Sequence, residues 1–410
     1  MSLFGGVVPI TGVTFLIFSI IAILAVGYAL GRITIKGVSL GSAGVFIVAL
    51  VYGCLFYSDL DAQLPDYITN ALKIVENLGL ILFVSSVGFI AGPKFFSNMK
   101  KNFTSYVLLG LVIIVTGALV AVGCVCIGKL MGETDMEKLS AIVSGLFAGA
   151  LTSTPAFSAA KASVASPEME QLVSVGYGIA YIFGVIGVVL FVQLIPKILK
   201  INMDEERKKI IVGSQDSASK KSVGKLIELD DFGNAPFAIA AVIGIFIGMI
   251  KIPLSNKGLD GTTFSLTTTG GCLLASLVFG HFGKIGRVNI MPSVTTLKVF
   301  RELGLVLFLV GAGISGGARF VQEFKVDYFI YGAIMTILPM IIGFIFAKFV
   351  LKISILNILG SITGGMTSTP ALGTLIHVAG TEDVAAAYAA TYPIALVAVV
   401  FASQLIIILF

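Results

Sequence analysis

The sequence predicts an all-α, polytopic membrane protein made of two repeats of opposite topology. Each repeat is expected to hold about five transmembrane helices and one re-entrant helical hairpin. Three observations predict this: an apolar composition, apolar runs of bilayer length, and an internal duplication. Of 410 residues, 57% are hydrophobic and only 12% are charged, and the mean hydropathy is +1.04. Soluble domains carry about 25% charged residues, because a large apolar core needs a charged shell. That shell is missing here, and lipid can stand in for it.

A bilayer core asks for roughly 20 apolar residues in a helix. Clear runs cover residues 13–31, 38–57, 106–127, 179–195, 237–250, 267–280, 328–350 and 389–410. The first is expected to be a span rather than a cleavable leader. Residues 1–11 carry no Lys or Arg, and the run is too long for a leader's apolar core. Cys54, Cys124, Cys126 and Cys272 all fall inside apolar runs, and the only histidines are His281 and His377. Cys124 and Cys126 point to different sides of a helix, so the cysteines read as small apolar filler. No cofactor, metal or nucleic-acid partner is expected.

The duplication shows in four blocks kept in the same order. Residues 78–92 (LGLILFVSSVGFIAG) match residues 303–317 (LGLVLFLVGAGISGG) at seven of fifteen positions. GALTSTPA at 149–156 matches GGMTSTPA at 364–371. Beyond these, Tyr177, Tyr181 and Gln193 pair with Tyr388, Tyr392 and Gln404, and upstream Gly44 and Gly53 pair with Gly271 and Gly280. The expected division is a first membrane repeat at 1–196, a charged linker at 197–232 and a second repeat at 233–410. The linker holds Lys197, Lys200, Arg207, Glu205, Glu206, Asp230 and Asp231 among others, and reads as solvated chain with at most a short helix.

Lys and Arg gather on the cytoplasmic side of membrane proteins. The linker is the strongest such signal and is placed inside. Arg32 with Lys36, Lys94 with Lys100 and Lys101, Lys284 with Arg287, and Lys348 with Lys352 then also fall inside. The N-terminus and the loops near 59–66, 133–137 and 251–260 fall outside. This works only if the two Thr-Ser-Thr-Pro segments do not cross. Each half then has five spans, an odd number, so the second enters the membrane inverted, and inverted repeats share a substrate site at their interface. Six spans per half would give parallel repeats and would put the basic linker outside.

The hairpins are expected at about 139–165 and 354–380. Pro155 and Pro370 remove an N–H and clash with the preceding turn, and they push Thr154 and Thr369 toward extended geometry. Broken backbone at membrane depth survives only when buried in protein or lining a cavity, where its free groups can meet a ligand. Thr152, Ser153, Thr154 and Pro155, with Thr367, Ser368, Thr369 and Pro370, are therefore the candidate substrate-binding residues. Half-helix N-termini aimed at the midplane favour an anion.

Charge inside the spans is sparse. Lys73 with Glu76, and Lys298 with Arg301 and Glu302, are expected to pair locally at the interface. Arg301 stands where the first repeat has Glu76, and a guanidinium there could clamp a carboxylate. Arg301 is accordingly a candidate ligand, as is Lys161. Tyr181 and Tyr392, with Tyr177 and Tyr388, either anchor at the membrane interface or face the hairpins and close the site. Gln193 and Gln404 are expected to bond between helices.

The stretch LGLILFVSSVGFIAGPKFF at 78–96, the paired TSTPA segments and GYGIAYIFGVIGVVL at 176–190 resemble the aspartate:alanine exchanger family of bacterial secondary transporters. The resemblance covers nearly all of both membrane halves. It implies an inner-membrane antiporter for small carboxylates or amino acids, such as aspartate, alanine or succinate-like dicarboxylates. It also implies an elevator-type homodimer, with Thr152 to Pro155 and Thr367 to Pro370 as hairpin tips. Many family members carry soluble regulatory domains between the halves, and here only the linker stands in that place. The alternative is an ion-coupled carrier for another small organic anion. A channel would need a polar stripe through the spans, and a membrane enzyme would need acid/base or metal groups that the spans lack.

Overall fold

The computed structural model describes residues 2–3, 8–35, 38–39, 41–65, 67–95, 103–203, 205–207, 227–253, 263–381 and 383–410. Lys36, Asp66, Lys100, Lys101, Asp260 and linker residues 208–226 lie outside these. The first half contains α1 (Gly12–Gly31), α2 (Ser42–Gln63), α3 (Ile68–Phe95), α4 (Phe103–Leu130), α5 (Met136–Ala150), α6 (Thr154–Ser163) and α7 (Pro167–Ile198). The second contains α8 (Asn234–Gly248), α9 (Thr267–Phe282), α10 (Val294–Glu323), α11 (Val326–Phe346), α12 (Ile355–Gly365), α13 (Thr369–Ala379) and α14 (Val384–Leu409). Each helix of one half therefore has a counterpart seven places later. Short antiparallel pairings of two residues each decorate the connections, as at Thr34–Ile35 with Val38–Ser39.

Among the described residues, seven helices are long and apolar enough to cross a membrane: α1, α2, α3, α4, α7, α11 with its short π-helical extension, and α14. Their exposed faces carry side chains such as Ile17, Leu55, Leu119 and Phe349, an outer surface suited to lipid and not to water. The chain is a multi-pass membrane protein.

Glycines set how closely the helices cross. A Cβ on Gly79 of α3 would stand 2.5 Å from the Phe308 N and 2.7 Å from the Gly304 O of α10. A Cβ on Gly304 would stand 2.5 Å from both the Gly79 O and the Phe83 N. These two helices are duplication partners. They meet reciprocally, Gly79 beside Phe308 and Phe83 beside Gly304, so they run antiparallel. The α2–α10 crossing at Gly53 and Gly317 is likewise repeated by the α9–α3 crossing at Gly280 and Gly92.

The Thr-Ser-Thr-Pro segments are breaks between two short helices, α5 with α6 and α12 with α13. Asp135 opens α5 by accepting the Lys138 N–H at 2.9 Å. At the break, the Thr152 N–H donates to the Gly149 O and the Ser153 N–H to the Ala148 O. The second hairpin repeats this with Thr367 to Gly364 and Ser368 to Thr363. This is the Schellman arrangement, in which the turning residue takes left-handed backbone and is usually glycine. Here it is threonine both times, with φ of 53° at Thr152 and 50° at Thr367. Proline then sits in the first turn of the returning helix, where its missing N–H costs nothing.

Linker residues hold the base of the second hairpin. A carboxylate oxygen of Glu206 accepts the Ile355 N–H that opens α12, at 2.9 Å. Arg207 donates to the Ala379 carbonyl that closes α13. An acid at a helix N-terminus and a base at a C-terminus both match the helix dipole. The part of the linker expected to be plain solvated chain is thus docked, and Glu206 is buried.

Candidate functional site

The two tips meet. The Thr152 hydroxyl donates to the Met366 carbonyl at 3.0 Å, and the Thr367 hydroxyl donates to the Leu151 carbonyl at 2.7 Å. Leu151 and Met366 are the counterpart residues just before each threonine, so the links are reciprocal. Both carbonyl-bearing residues are buried.

Beside the joined tips lies a cavity of about 560 Å³. Thr152, Thr154 and Pro155 line it from the first hairpin, and Thr367 from the second. Tyr181, Tyr388 and Tyr392 line it from α7 and α14, and Arg301 with Glu302 from α10. Of the sequence candidates, these are brought together. Ser153 is not: it is buried, and its hydroxyl accepts the Ala156 N–H at 3.3 Å as the cap of α6. Ser368 is also buried away from the cavity, and its hydroxyl has no partner among the described residues. Thr369 and Pro370 open α13, and their side chains lie outside the described ones.

Arg301 is half-buried and makes neither a hydrogen bond nor an ion pair among the described residues. Glu302 next to it accepts from the Tyr28 hydroxyl at 3.1 Å. A guanidinium without a carboxylate partner, in a partly dry cavity, is suited to an anionic ligand. The N-terminus of α6 opens on the same space, adding partial positive charge.

Several sequence expectations change. Lys73 and Glu76 do not pair with each other: Lys73 meets Glu170 at 2.9 Å, and Glu76 meets Lys161 at 2.7 Å. Tertiary neighbours on α6 and α7 override the one-turn spacing along α3. Lys161 lies within α6, and it does not reach the cavity lined by Arg301. Tyr181 is buried and lines the cavity, so it is no interfacial anchor. Tyr177 is fully buried and stacks on Phe157 at 4.0 Å, packing the hairpin instead of facing the cavity. Gln404 is buried with no side-chain partner among the described residues, so it does not bond between helices. Sequence reasoning missed Ser42 and Glu302 as lining residues. Ser42 carries no signal beyond its place two residues before Gly44, one of the duplicated glycines.

A bundle of apolar spans, with two broken hairpins joined beside a largely apolar cavity that carries a few polar and charged groups, fits a membrane transporter. The chain belongs to the Asp-Al_Ex family, whose sequence model, described as a predicted permease membrane region, matches residues 19–197 and 236–408. It is similar to an uncharacterized transporter of Bacteroides thetaiotaomicron, 28% identical over 95% of this chain and 97% of that one. An uncharacterized transporter of Desulfotalea psychrophila is 23% identical over 95% of this chain and 96% of that one. A putative transport protein of Edwardsiella ictaluri is 24% identical over 96% and 98%. The first of these alignments runs over 545 positions, and 95% of 410 residues is about 390, so some 155 positions have no counterpart here.

Proposed function

We propose that this transporter is a secondary carrier exchanging small carboxylates or amino acids, with the cavity beside the joined tips as its substrate site. The observation that carries the reading is the Arg301 guanidinium, without a hydrogen-bond or ion-pair partner among the described residues, in the same cavity as Thr152 and Thr367. On this reading Arg301 holds a substrate carboxylate, and Thr152, Thr154 and Thr367 supply the short polar contacts. Tyr181 and Tyr392 close the sides. Ser153 and Ser368 position the tips from within the protein. Thr369 and Pro370 start the second returning helix.

The halves, 1–196 and 233–410, are inverted repeats joined by the 197–232 linker. The antiparallel crossing of α3 with its counterpart α10 supports this. Basic residues then place the linker in the cytoplasm and the N-terminus outside the inner membrane. The family resemblance adds an elevator-type movement and a homodimer.

The test is counterflow in proteoliposomes, with labelled aspartate, alanine, succinate and malate against a loaded or empty lumen. Exchange requires uptake to depend on internal substrate. Hydrogen bonds to a charged group contribute about 1.5–3 kcal/mol. Arg301→Gln is therefore expected to raise the substrate KM by roughly 10- to 150-fold. An unchanged KM in a well-folded Arg301→Gln protein refutes the site.

A further inference from the structure

The fold contains a second, smaller cavity, about 160 Å³ in volume, that the substrate reading does not use. Glu76, Asn77 and Leu80 of α3 line it, with Ser158 and Lys161 of α6 and Thr269 of α9. The duplication relates it to the first cavity. Counterparts of Glu76, Asn77 and Leu80 are Arg301, Glu302 and Leu305, and the counterpart of Thr269 is Ser42; all four line the large cavity. The same pocket is built twice. Where one copy presents a guanidinium, the other presents a carboxylate.

That carboxylate is already occupied. The Lys161 ammonium lies 2.7 Å from Glu76, with side chains only 6% and 9% exposed. The position equivalent to Lys161 in the second hairpin is Ile376, so the ammonium belongs to this copy alone. Around the pair stand a Ser158–Thr269 hydroxyl pair at 2.8 Å and Asn77. Carboxylate, hydroxyl and amide oxygens in a small enclosed space are the donor set of a hard cation.

Charge bookkeeping closes around this pair. Lys73 and Glu76 come from α3, Lys161 from α6 and Glu170 from α7, and the four sum to zero. Helix α9 contributes only Thr268 and Thr269, and α10 faces Glu76 with Gly311. Helices α8 and α14, which also pack here, carry no charged side chain. Lys138 of α5 is engaged by Glu323 at 2.6 Å.

We propose that the small cavity is a monovalent-cation site whose cation is covalently tethered: the Lys161 ammonium stands where a free sodium ion or proton would otherwise sit. Its consequence is a carrier that needs no external cation at this position. Only the transport arm of the test rests on the carrier reading above. Without the ammonium, Glu76 would be a buried charge whose nearest cation, Lys73, is already held by Glu170, and such a charge recruits a cation or a proton.

The experiment compares wild type, Lys161→Met, Lys161→Gln and the double Glu76→Gln/Lys161→Met. Melting of the purified proteins is followed in sodium chloride or choline chloride, at alkaline and acid pH. Wild type is expected to ignore sodium. Both single variants should melt several degrees lower in choline at alkaline pH and recover on adding sodium or on acidification. Recovery by sodium at alkaline pH assigns an alkali cation, and recovery by acid alone assigns a proton. The double variant should lose the response. Single variants blind to both cations, or a double variant that responds equally, overturn the proposal. So does failure to recover either single variant when sodium is present throughout extraction. In counterflow, Lys161→Met should transport only with the cation that restores its melting. A normal melting response without any transport by wild type would count against the carrier reading and leave the cation site standing.

Discussion

Replacing Thr152 or Thr367 by valine removes one hydroxyl, and with it a link between the hairpin tips and a proposed polar contact to substrate. Valine keeps the branched Cβ, so the left-handed backbone at φ 53° or 50° is as strained as before. What goes is a donor to the buried carbonyl of Met366 or Leu151, at 3.0 Å and 2.7 Å. A typical hydrogen bond contributes about 1 kcal/mol net, and stranding a buried acceptor raises the loss to about 1–3 kcal/mol. Glycine at the same positions also removes the link but relieves about 1–2 kcal/mol of left-handed strain. The two substitutions therefore separate stability from function. Valine variants should melt lower and transport poorly, whereas glycine variants should melt near wild type and still transport poorly. Because the links are reciprocal, the double valine variant should depart from additivity by at least about 0.5 kcal/mol. Melting in detergent and counterflow from the same preparations give the numbers. Wild-type transport in both glycine variants would refute the idea that the joined tips shape the site.

Three further outcomes follow from named contacts. Gly79→Ala and Gly304→Ala each push a methyl to 2.5 Å from the partner helix backbone, so both should lower stability by about 1–3 kcal/mol and by similar amounts, read as melting and yield. Arg207→Ala removes the donor to the Ala379 carbonyl at the base of the second hairpin. Amide exchange should then rise in α13 but not in α6, which has no such clasp. Asp230, in the exposed connection before α8, accepts the Ala235, Asn234 and Phe232 N–H groups at 2.7, 2.8 and 3.0 Å. These bonds, that from Ala235 foremost, hold its carboxyl below the ordinary aspartate value. A depressed folded value contributes stability above the unfolded one, and that stability is lost as pH falls through the folded value. Asp230→Asn should thus flatten the acid limb of the melting profile.

The fold class was legible because lipid imposes two crude demands, length and apolarity, and the sequence meets both openly. The duplication was legible because glycines mark backbone contacts: Gly79, Gly304, Gly53 and Gly280 pair in sequence and cross in space for one steric reason. The tips were legible because a proline follows glycines at equivalent places in both halves; proline alone would not mark them, since Pro339 and Pro393 sit inside continuous helices. Charge partnership was not. Glu76 has Lys73 one turn away, and local spacing favours that pair, yet the ammonium that reaches it comes from 85 residues on. The lone Lys161 of α6 was the available signal, since a charge in an apolar helix requires a partner from another helix. Nor could the clasp by Glu206 and Arg207 be read, because it depends on hairpin ends whose position only the fold sets.

The duplication also bears on how a substrate would sit. Two tips joined by reciprocal hydrogen bonds offer matching contacts to both ends of a ligand: Thr152 with Thr367, and Tyr181 with Tyr392. A symmetric site of this kind would not distinguish one end of a dicarboxylate from the other. The charged positions break the tie. Arg301 faces the large cavity from α10, whereas its counterpart Glu76 is turned to a separate pocket and neutralised by Lys161. One charged anchor therefore serves the proposed site instead of two. On the carrier reading, a single carboxylate is clamped and the rest of the molecule is read by hydroxyls and rings. Such a site accepts an amino acid and a dicarboxylate by the same end, which is what exchange between unlike small carboxylates requires.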